Sequence, residues 1–507
     1  MREQRKGLFQ DWICAVIAAE TAPEAQEQLC SALKLTRTAE LRLDWLRGEG
    51  EIVRLLGWLA KQQFRADLIA TCRRRVAGGK FRGELATQLA ILRMAVACGC
   101  TWADIEQETA DRFPGGTLKY LFGGARTLIS LHDFGCTPSD AGLRARVQRL
   151  GHARGDAIKI ATRCNSIGDA VRVLALCKSR RDVVAVPMGD PALPARVLAL
   201  AQGSALAYAA VGEKTAPGQL TLGEMKNSFR ADQWDRQTRV YGVIGDPIAH
   251  SLSPAMHNAA FQAKRVNAVY LPFLVRNLRD FLEAIKPLKI RGFSVTLPHK
   301  ERILHYLDDC DPLAAKIGAV NTVVVRGNGK LYGYNTDYVG VLRALERRLP
   351  LRGSRVLLVG AGGAARAVAF ALAQGGAIVC VMARRAARAR ALARAAGGEA
   401  VERNRVRREF FDAIVNCTPV GMFPRVNESP LDARELNARI VFDLIYHPLE
   451  TRLLQLAERR GIETISGVEM FLAQGAAQWE IWNETRAPEA VMRKAVIAAL
   501  DEVEEIG

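Results

Sequence analysis

A chain of 507 residues is too long for one hydrophobic core, and at roughly 100 to 200 residues per domain it predicts two to four units. Its apolar and charged fractions are those of globular proteins, and no run of about 18 apolar residues occurs, which excludes a membrane-spanning helix. The net charge of +18 raises nucleic acid as a partner, but the arginines are spread among acids without aromatic platforms, so small anionic molecules are expected instead. Eleven cysteines stand singly, without CxxC pairs or histidines at metal-ligand spacing. They predict reduced thiols, a cytoplasmic setting and no structural metal. In MREQRKGLFQDWICAVIAAE the apolar run ends on Glu20, which suits a first strand leading into a helix better than a cleaved leader.

Between residues 10 and 212 one unit recurs eight times: a short β-rich run, a polar turn and a helical pattern. The runs are WICAVIAAE, AELRLDWL, ADLIATCR, WADIEQE, TLISLHDF, AIKIATR, VVAVPMGD and ALAYAAV. Eight such units predict a closed (β/α)8 TIM barrel with its active site at the C-terminal ends of the strands. Glu40 and Arg42 lie on the second run, Arg73 ends the third, Glu106 the fourth, His132 and Asp133 the fifth, and Arg196 follows the seventh. Lys159 interrupts the sixth run, between Ile158 and Ile160. An amine in an apolar strand is either a snorkelling surface group or a nucleophile whose pKa its apolar flanks lower. A histidine on the adjacent strand makes an acid/base beside an amine able to form a Schiff base.

The pieces ELRLDWL, TCRRRVAGG, LISLHDF, AIKIAT, PARVLA and TAPGQLT resemble type I 3-dehydroquinate dehydratase, in family order over residues 10 to 225. The resemblance implies that Lys159 condenses with the ring ketone of 3-dehydroquinate and that His132 removes the neighbouring proton and returns one to the departing hydroxyl. It puts Glu106 behind His132 as an orienting carboxylate. Glu40, Arg42 and Arg73 would hold ring hydroxyls and carboxylate, while Arg196, Thr215 and Gln219 close over the substrate. The lid region VPMGDPALPARV is richer in proline than the family pattern.

A polar stretch at 226–238 predicts a linker. After it, SRVLLVGAGGAARAVAFALAQGGAIVCVMARR reads as strand, glycine turn, helix and strand, the order of a dinucleotide-binding fold. Gly360 allows the tight turn, Gly362 lets backbone approach a pyrophosphate, and Ala365 permits close helix packing. Ala361, Gly363 and Ala364 complete the turn. The second strand ends without an acid, and Arg384, Arg385 and Arg388 suit a 2′-phosphate, so the predicted cofactor is NADP. Upstream, GDPIAHSLSPAMHN places Ser251 and Ser253 where hydroxyls and helix N–H groups can bind a carboxylate. FSVTLPHK, GAVNT and GYNTD bring Lys300, Asn321 and Asp337, a lysine and an aspartate able to share a proton.

Together with NCTPVGM, FDLIYHPLET and SGVEMFLAQGAAQWEIW, these segments resemble shikimate dehydrogenase over residues 240 to 505. The resemblance implies that Ser251, Ser253, Thr296, Asn321, Asp337, Tyr446 and Gln474 bind the substrate. Lys300 with Asp337 would move the proton, and Thr418, Met422, Leu444 and Gly467 would line the nicotinamide side. The family's usual Asn-Arg-Thr is Ala383-Arg384-Arg385 here.

The first product would be the second substrate, so the expected protein is a bifunctional enzyme of the shikimate pathway. It takes 3-dehydroquinate and 3-dehydroshikimate as small-molecule substrates, with neither nucleic acid nor membrane as partner; the oligomeric state is not legible. The expected spans are a barrel over 1–225, a linker over 226–238, a substrate domain over 239–340 and 470–507, and a Rossmann domain over 341–469. Quinate dehydrogenase activity in the second half is the nearer rival, with Ser253 as the position to inspect. A non-catalytic sensor is the farther one, since it would need neither the Schiff-base lysine nor the Lys300/Asp337 pair.

Overall fold

A computed structural model describes residues 8–113, 117–212, 218–249 and 251–506. By its contacts the chain divides into two compact units, 1–239 with 271–289, and 240–270 with 290–507. The helix Leu278–Leu288 thereby counts with the first.

All eight predicted runs of the first unit are strands. They are β1 (Ile13–Ile17), β2 (Thr38–Arg42), β3 (Asp67–Thr71), β4 (Trp102–Glu106), β5 (Arg126–Asp133), β6 (Ala157–Arg163), β7 (Val183–Met188) and β8 (Ala207–Val211). They form one parallel sheet in the order β7-β6-β5-β4-β3-β2-β1-β8. Strands buried on both faces read as apolar runs rather than alternations, which is why the pattern was visible in sequence. The barrel interior is filled by Val16, Ile69, Trp102, Leu128, Val184 and their neighbours. Phe9 stacks on Trp102 with ring centroids 4.3 Å apart; such a pair contributes about 0.5–1.5 kcal/mol beyond its burial.

At the β7/β8 seam the ladder gives way to single contacts. The Ala205 N–H donates to Val183 O at 2.9 Å. The Ser204 hydroxyl accepts from the Ala185 N–H at 3.0 Å and donates to Leu206 O at 2.8 Å. The predicted linker is folded against the first unit: Lys226 bonds Asp11 and Asp232 at 3.4 and 3.0 Å, and the Trp234 indole donates to Phe229 O at 2.6 Å.

Two six-stranded sheets follow, one strand end at 271–274 falling in the stretch counted with the first unit. The first contains β9 (Arg239–Gly245), β10 (Ala268–Leu274), β11 (Ile290–Val295), β12 (Asp309–Cys310), β13 (Thr322–Val325) and β14 (Leu331–Tyr334), in the order β10-β9-β11-β13-β14-β12. Here β9 and β11 are parallel, and β13 runs antiparallel to both β11 and β14. The second contains β15 (Arg355–Val359), β16 (Ile378–Met382), β17 (Glu399–Ala400), β18 (Phe411–Asn416), β19 (Ala438–Asp443) and β20 (Glu463–Ile465), in the order β17-β16-β15-β18-β19-β20. Counted from β15 this is 3-2-1-4-5-6 and all parallel, the doubly wound order whose ligand crevice opens where the order reverses, between β15 and β18.

Candidate active sites

In the barrel, β5 and β6 pair with Ser130 opposite Lys159 and His132 opposite Ala161. Lys159 is buried, with 5% of its surface exposed. Its amine lies 3.0 Å from Glu40 Oε1 and 3.3 Å from Asp104 Oδ2, and sits 4.0 Å from the centre of the Tyr208 ring. Two carboxylates and an aromatic face surround the amine, not the apolar wall expected from its strand neighbours. Alternation explains the difference: Ile158 and Ile160 point to the other side of the sheet. The Glu40 Oε1 also accepts from the Thr71 hydroxyl at 2.9 Å.

Asp104 is the hub that the sequence reading missed. Its Oδ2 accepts from Arg73 Nη2 at 2.8 Å as well as from Lys159, and its Oδ1 accepts from the Ser130 hydroxyl at 2.5 Å. Burial raises a carboxyl pKa, but here Arg73 and Lys159 win, and the group is held below the usual range. Arg73 Nη1 reaches Ser130 Oγ at 3.1 Å and His132 Nδ1 at 2.8 Å. Burial, then the cations Arg73, Lys159 and Arg42, push the His132 pKa well below its ordinary value, so the ring is neutral.

Glu106 does not stand behind His132. Its Oε1 accepts from the Arg74 N–H at 2.7 Å, and its Oε2 from Arg74 Nε at 2.6 Å and Gln88 at 3.4 Å. Asp104 and Glu106 share one side of β4, and the deeper of the two meets the lysine. Arg42 is likewise engaged, forming a two-pronged bond to Asp44 at 3.0 and 2.8 Å. Arg196 lies in the helix Leu193–Gln202, 5% exposed, with Nε on Pro187 O at 2.8 Å and Nη2 without a partner among the described residues. Burial lowers its pKa to about 10. A buried guanidinium with an unfilled N–H is a receptor for an anion. Gln219 is buried, and Thr215 lies outside the described residues.

In the second unit Lys300, on the loop after β11, places its amine 2.6 Å from Asp337 Oδ2. Asn321 donates to Asp337 Oδ1 at 2.8 Å and to Thr336 Oγ1 at 3.0 Å, while its own oxygen accepts from the Thr336 N–H at 2.7 Å. The Thr336 hydroxyl also donates to Gln474 at 3.4 Å. Ser251 accepts from the Ser253 N–H at 3.4 Å, at the start of the helix Ser253–Ala263. Ser253 is buried, and the Tyr270 hydroxyl bonds Ser294 Oγ at 2.6 Å. The Thr296 N–H donates to Ile244 O at 3.0 Å, and Tyr446 packs on Phe471 with centroids 5.1 Å apart.

At the β15/β18 crevice, Gly360 has φ +114°, and a Cβ there would come within 3.0 Å of Thr418, so only glycine makes this turn without strain. A Cβ at Gly362 or Gly363 would meet nothing within 4 Å; Ala361 is half-buried and Ala364 exposed, whereas Ala365 is fully buried. The start of the helix Gly363–Gln374 is therefore open to a phosphate group. Arg384, Arg385 and Arg388 are exposed just beyond β16, and among the described residues no carboxylate pairs with them. Asn416 Oδ1 accepts from both the Thr418 N–H, at 3.0 Å, and its hydroxyl, at 2.7 Å. The Leu444 N–H donates to Asn416 O at 3.1 Å, and Gly467 lies so close to Leu444 and Ile445 that a Cβ would clash with their backbone. Met422 is exposed.

Four family models match successive parts of the chain: type I 3-dehydroquinase over 13–235, the shikimate dehydrogenase substrate binding domain over 243–323, shikimate/quinate 5-dehydrogenase over 343–419 and the shikimate 5'-dehydrogenase C-terminal domain over 467–497. A chloroplastic bifunctional 3-dehydroquinate dehydratase/shikimate dehydrogenase of Arabidopsis thaliana is 34% identical, covering 94% of this chain and 82% of the plant protein. Shikimate dehydrogenases (NADP(+)) of Thermococcus kodakarensis and Bacillus mycoides are 43% and 44% identical, covering 53% and 50% of this chain and 99% and 98% of their own. The chain belongs to the family of bifunctional 3-dehydroquinate dehydratase/shikimate dehydrogenases.

Proposed function

We propose that the first unit dehydrates 3-dehydroquinate to 3-dehydroshikimate through a Schiff base on Lys159, and that the second reduces 3-dehydroshikimate to shikimate with NADPH. The observation that carries the reading is the buried Lys159 amine among Glu40, Asp104 and the Tyr208 face, one strand from His132.

Lys159 attacks the ring ketone, and the resulting iminium draws electrons from the adjacent C–H bond. His132 takes that proton and returns one to the hydroxyl that leaves as water. The unfilled N–H of Arg196 receives the substrate carboxylate, Glu40 accepts from a ring hydroxyl, and Gln219 closes the mouth; the same role for Thr215 rests on the family resemblance alone.

In the second unit Gly360, Ala361, Gly362, Gly363 and Ala364 would carry the pyrophosphate of NADP, and Arg384, Arg385 and Arg388 its 2′-phosphate. Thr418, Met422, Leu444 and Gly467 would line the nicotinamide side. When bound, the dinucleotide supplies a hydride. Lys300 donates the proton that the reduced carbonyl oxygen needs, and Asp337 balances its charge. Ser251, Ser253, Thr296, Asn321, Tyr446 and Gln474 orient the ring.

The spans 1–225, 239–340 with 470–507, and 341–469 are the corresponding barrel, substrate and dinucleotide domains, joined by 226–238. Eleven unpaired cysteines favour a reducing compartment such as the cytoplasm, and no described helix is long and apolar enough to cross a membrane. Borohydride reduction in the presence of 3-dehydroquinate, followed by peptide mass mapping, tests the first assignment: adduct mass belongs on Lys159. Kinetics with shikimate and quinate, each with NADP and NAD, test the second. A strong preference for quinate with NAD overturns it.

A further inference from the structure

We propose that Arg73 sets the tautomer of His132, occupying its only basic nitrogen, Nδ1, until substrate claims the same N–H. A guanidinium has donors and no acceptor, so the 2.8 Å contact from Arg73 Nη1 makes Nδ1 the acceptor. The ring proton of the neutral imidazole is then on Nε2. In that tautomer Nε2 cannot take a proton, and Nδ1 is the one lone pair available for base chemistry. Among the described residues no carboxylate bonds either ring nitrogen, so Arg73 alone fixes the ring.

The geometry also supplies the release. Arg73 is anchored through Nη2 to Asp104 at 2.8 Å, and Nη1 divides its two N–H groups between Ser130 at 3.1 Å and His132. With the carboxylate taken by Arg196, a ring hydroxyl oxygen of the bound substrate competes for the second of these without disturbing the anchor. The rest of the substrate holds that oxygen in place, so it displaces the ring nitrogen. Freed Nδ1 then accepts the proton from the carbon beside the Lys159 iminium, and the C–H electron pair makes the enamine. The imidazolium passes one proton to the departing hydroxyl, which leaves as water while the enamine pair restores the iminium. The charged groups around the ring are Arg73, Lys159 and Arg42, with Asp104 and Glu40 behind them.

The inference rests on the dehydratase reading, and the test separates the two. Full-length chain carrying 15N-labelled histidine is examined by NMR before and after borohydride trapping with 3-dehydroquinate, with His132 assigned by its loss in His132→Gln. In the free enzyme Nδ1 is expected unprotonated and Nε2 protonated; in the trapped adduct the Nδ1 resonance shifts as Arg73 leaves it. Arg73→Gln, which removes the cation, is expected to raise the acid limb of the dehydration pH profile by about one unit. Arg73→Lys restores it. A role confined to packing lowers activity without moving that limb. Protonated Nδ1 in the free wild-type chain overturns the inference even when the adduct forms, and this outcome does not depend on any variant folding. Absence of an adduct overturns the dehydratase reading and the inference with it.

Discussion

Two buried aspartates in this chain titrate in opposite directions. Asp104, in the barrel, is flanked by Arg73 and Lys159 and is held below the usual carboxyl range. Asp443, at the end of β19, accepts among the described residues only from neutral donors: the Thr451 hydroxyl at 2.7 Å, Asn416 at 3.0 Å and the Ile445 N–H at 3.1 Å. Burial wins there and raises its pKa to about 6. Depth alone therefore does not fix the sign; the presence of a cation does. The contrast extends to the two candidate sites. The barrel keeps its amine in a closed network of charges, as would suit the proposed Schiff-base lysine. The Lys300/Asp337 pair proposed to move a proton in the second site is more open to solvent, with 31% and 13% of the side chains exposed.

Lys159→Met breaks this contrast hardest. Dehydration should fall to background while reduction by the same chain continues, and the barrel should lose about 3–5 kcal/mol in denaturant titration because Glu40 and Asp104 lose their cation. Lys300→Ala should lower turnover in reduction by about 10²- to 10⁴-fold with KM changed only a few-fold; near-normal turnover removes Lys300 from the chemistry.

Asp443→Asn sharpens the pairing of the two aspartates. The folded pKa of Asp443 is raised above that of an unfolded aspartate, so its contribution is greatest when protonated and is lost as pH rises through about 6. Measured from pH 4 to 7, wild type should lose stability relative to the variant, by at most about 3 kcal/mol. The smallest effect is expected from Arg384→Ala combined with Arg385→Ala. KM for NADPH should rise about 10- to 100-fold and KM for NADH stay put; an equal rise for both removes the 2′-phosphate role.

The eight barrel strands were legible because buried parallel strands are unbroken apolar runs, and the glycine turn because Gly360 and its flanking strand and helix form a local unit. Lys300 and Asp337, expected from the motifs to meet, lie far apart in sequence and have their charged atoms 2.6 Å apart in the fold. Asp104 was not legible. It and Glu106 are two residues apart on β4, so alternation gives both the same side, and nothing local says which lies at the depth of Lys159. The engagement of Arg42 by Asp44, two residues away, was open to sequence reading, since that spacing permits a forked contact at the strand end. The surroundings of Lys159 were misjudged because its sequence neighbours are not its spatial neighbours.

The seam at β7 and β8 is the least hydrogen-bonded joint of the barrel. Ordinary ladders protect every strand except at this joint, where a lone backbone bond and the Ser204 hydroxyl replace them. Amide hydrogen exchange should be fastest there. Arg196 and Gln219 follow these two strands, whereas Lys159 sits on β6 within an uninterrupted ladder. The barrel thus carries Lys159 on its continuously bonded side, while Arg196 and Gln219 follow the two strands at its least bonded joint.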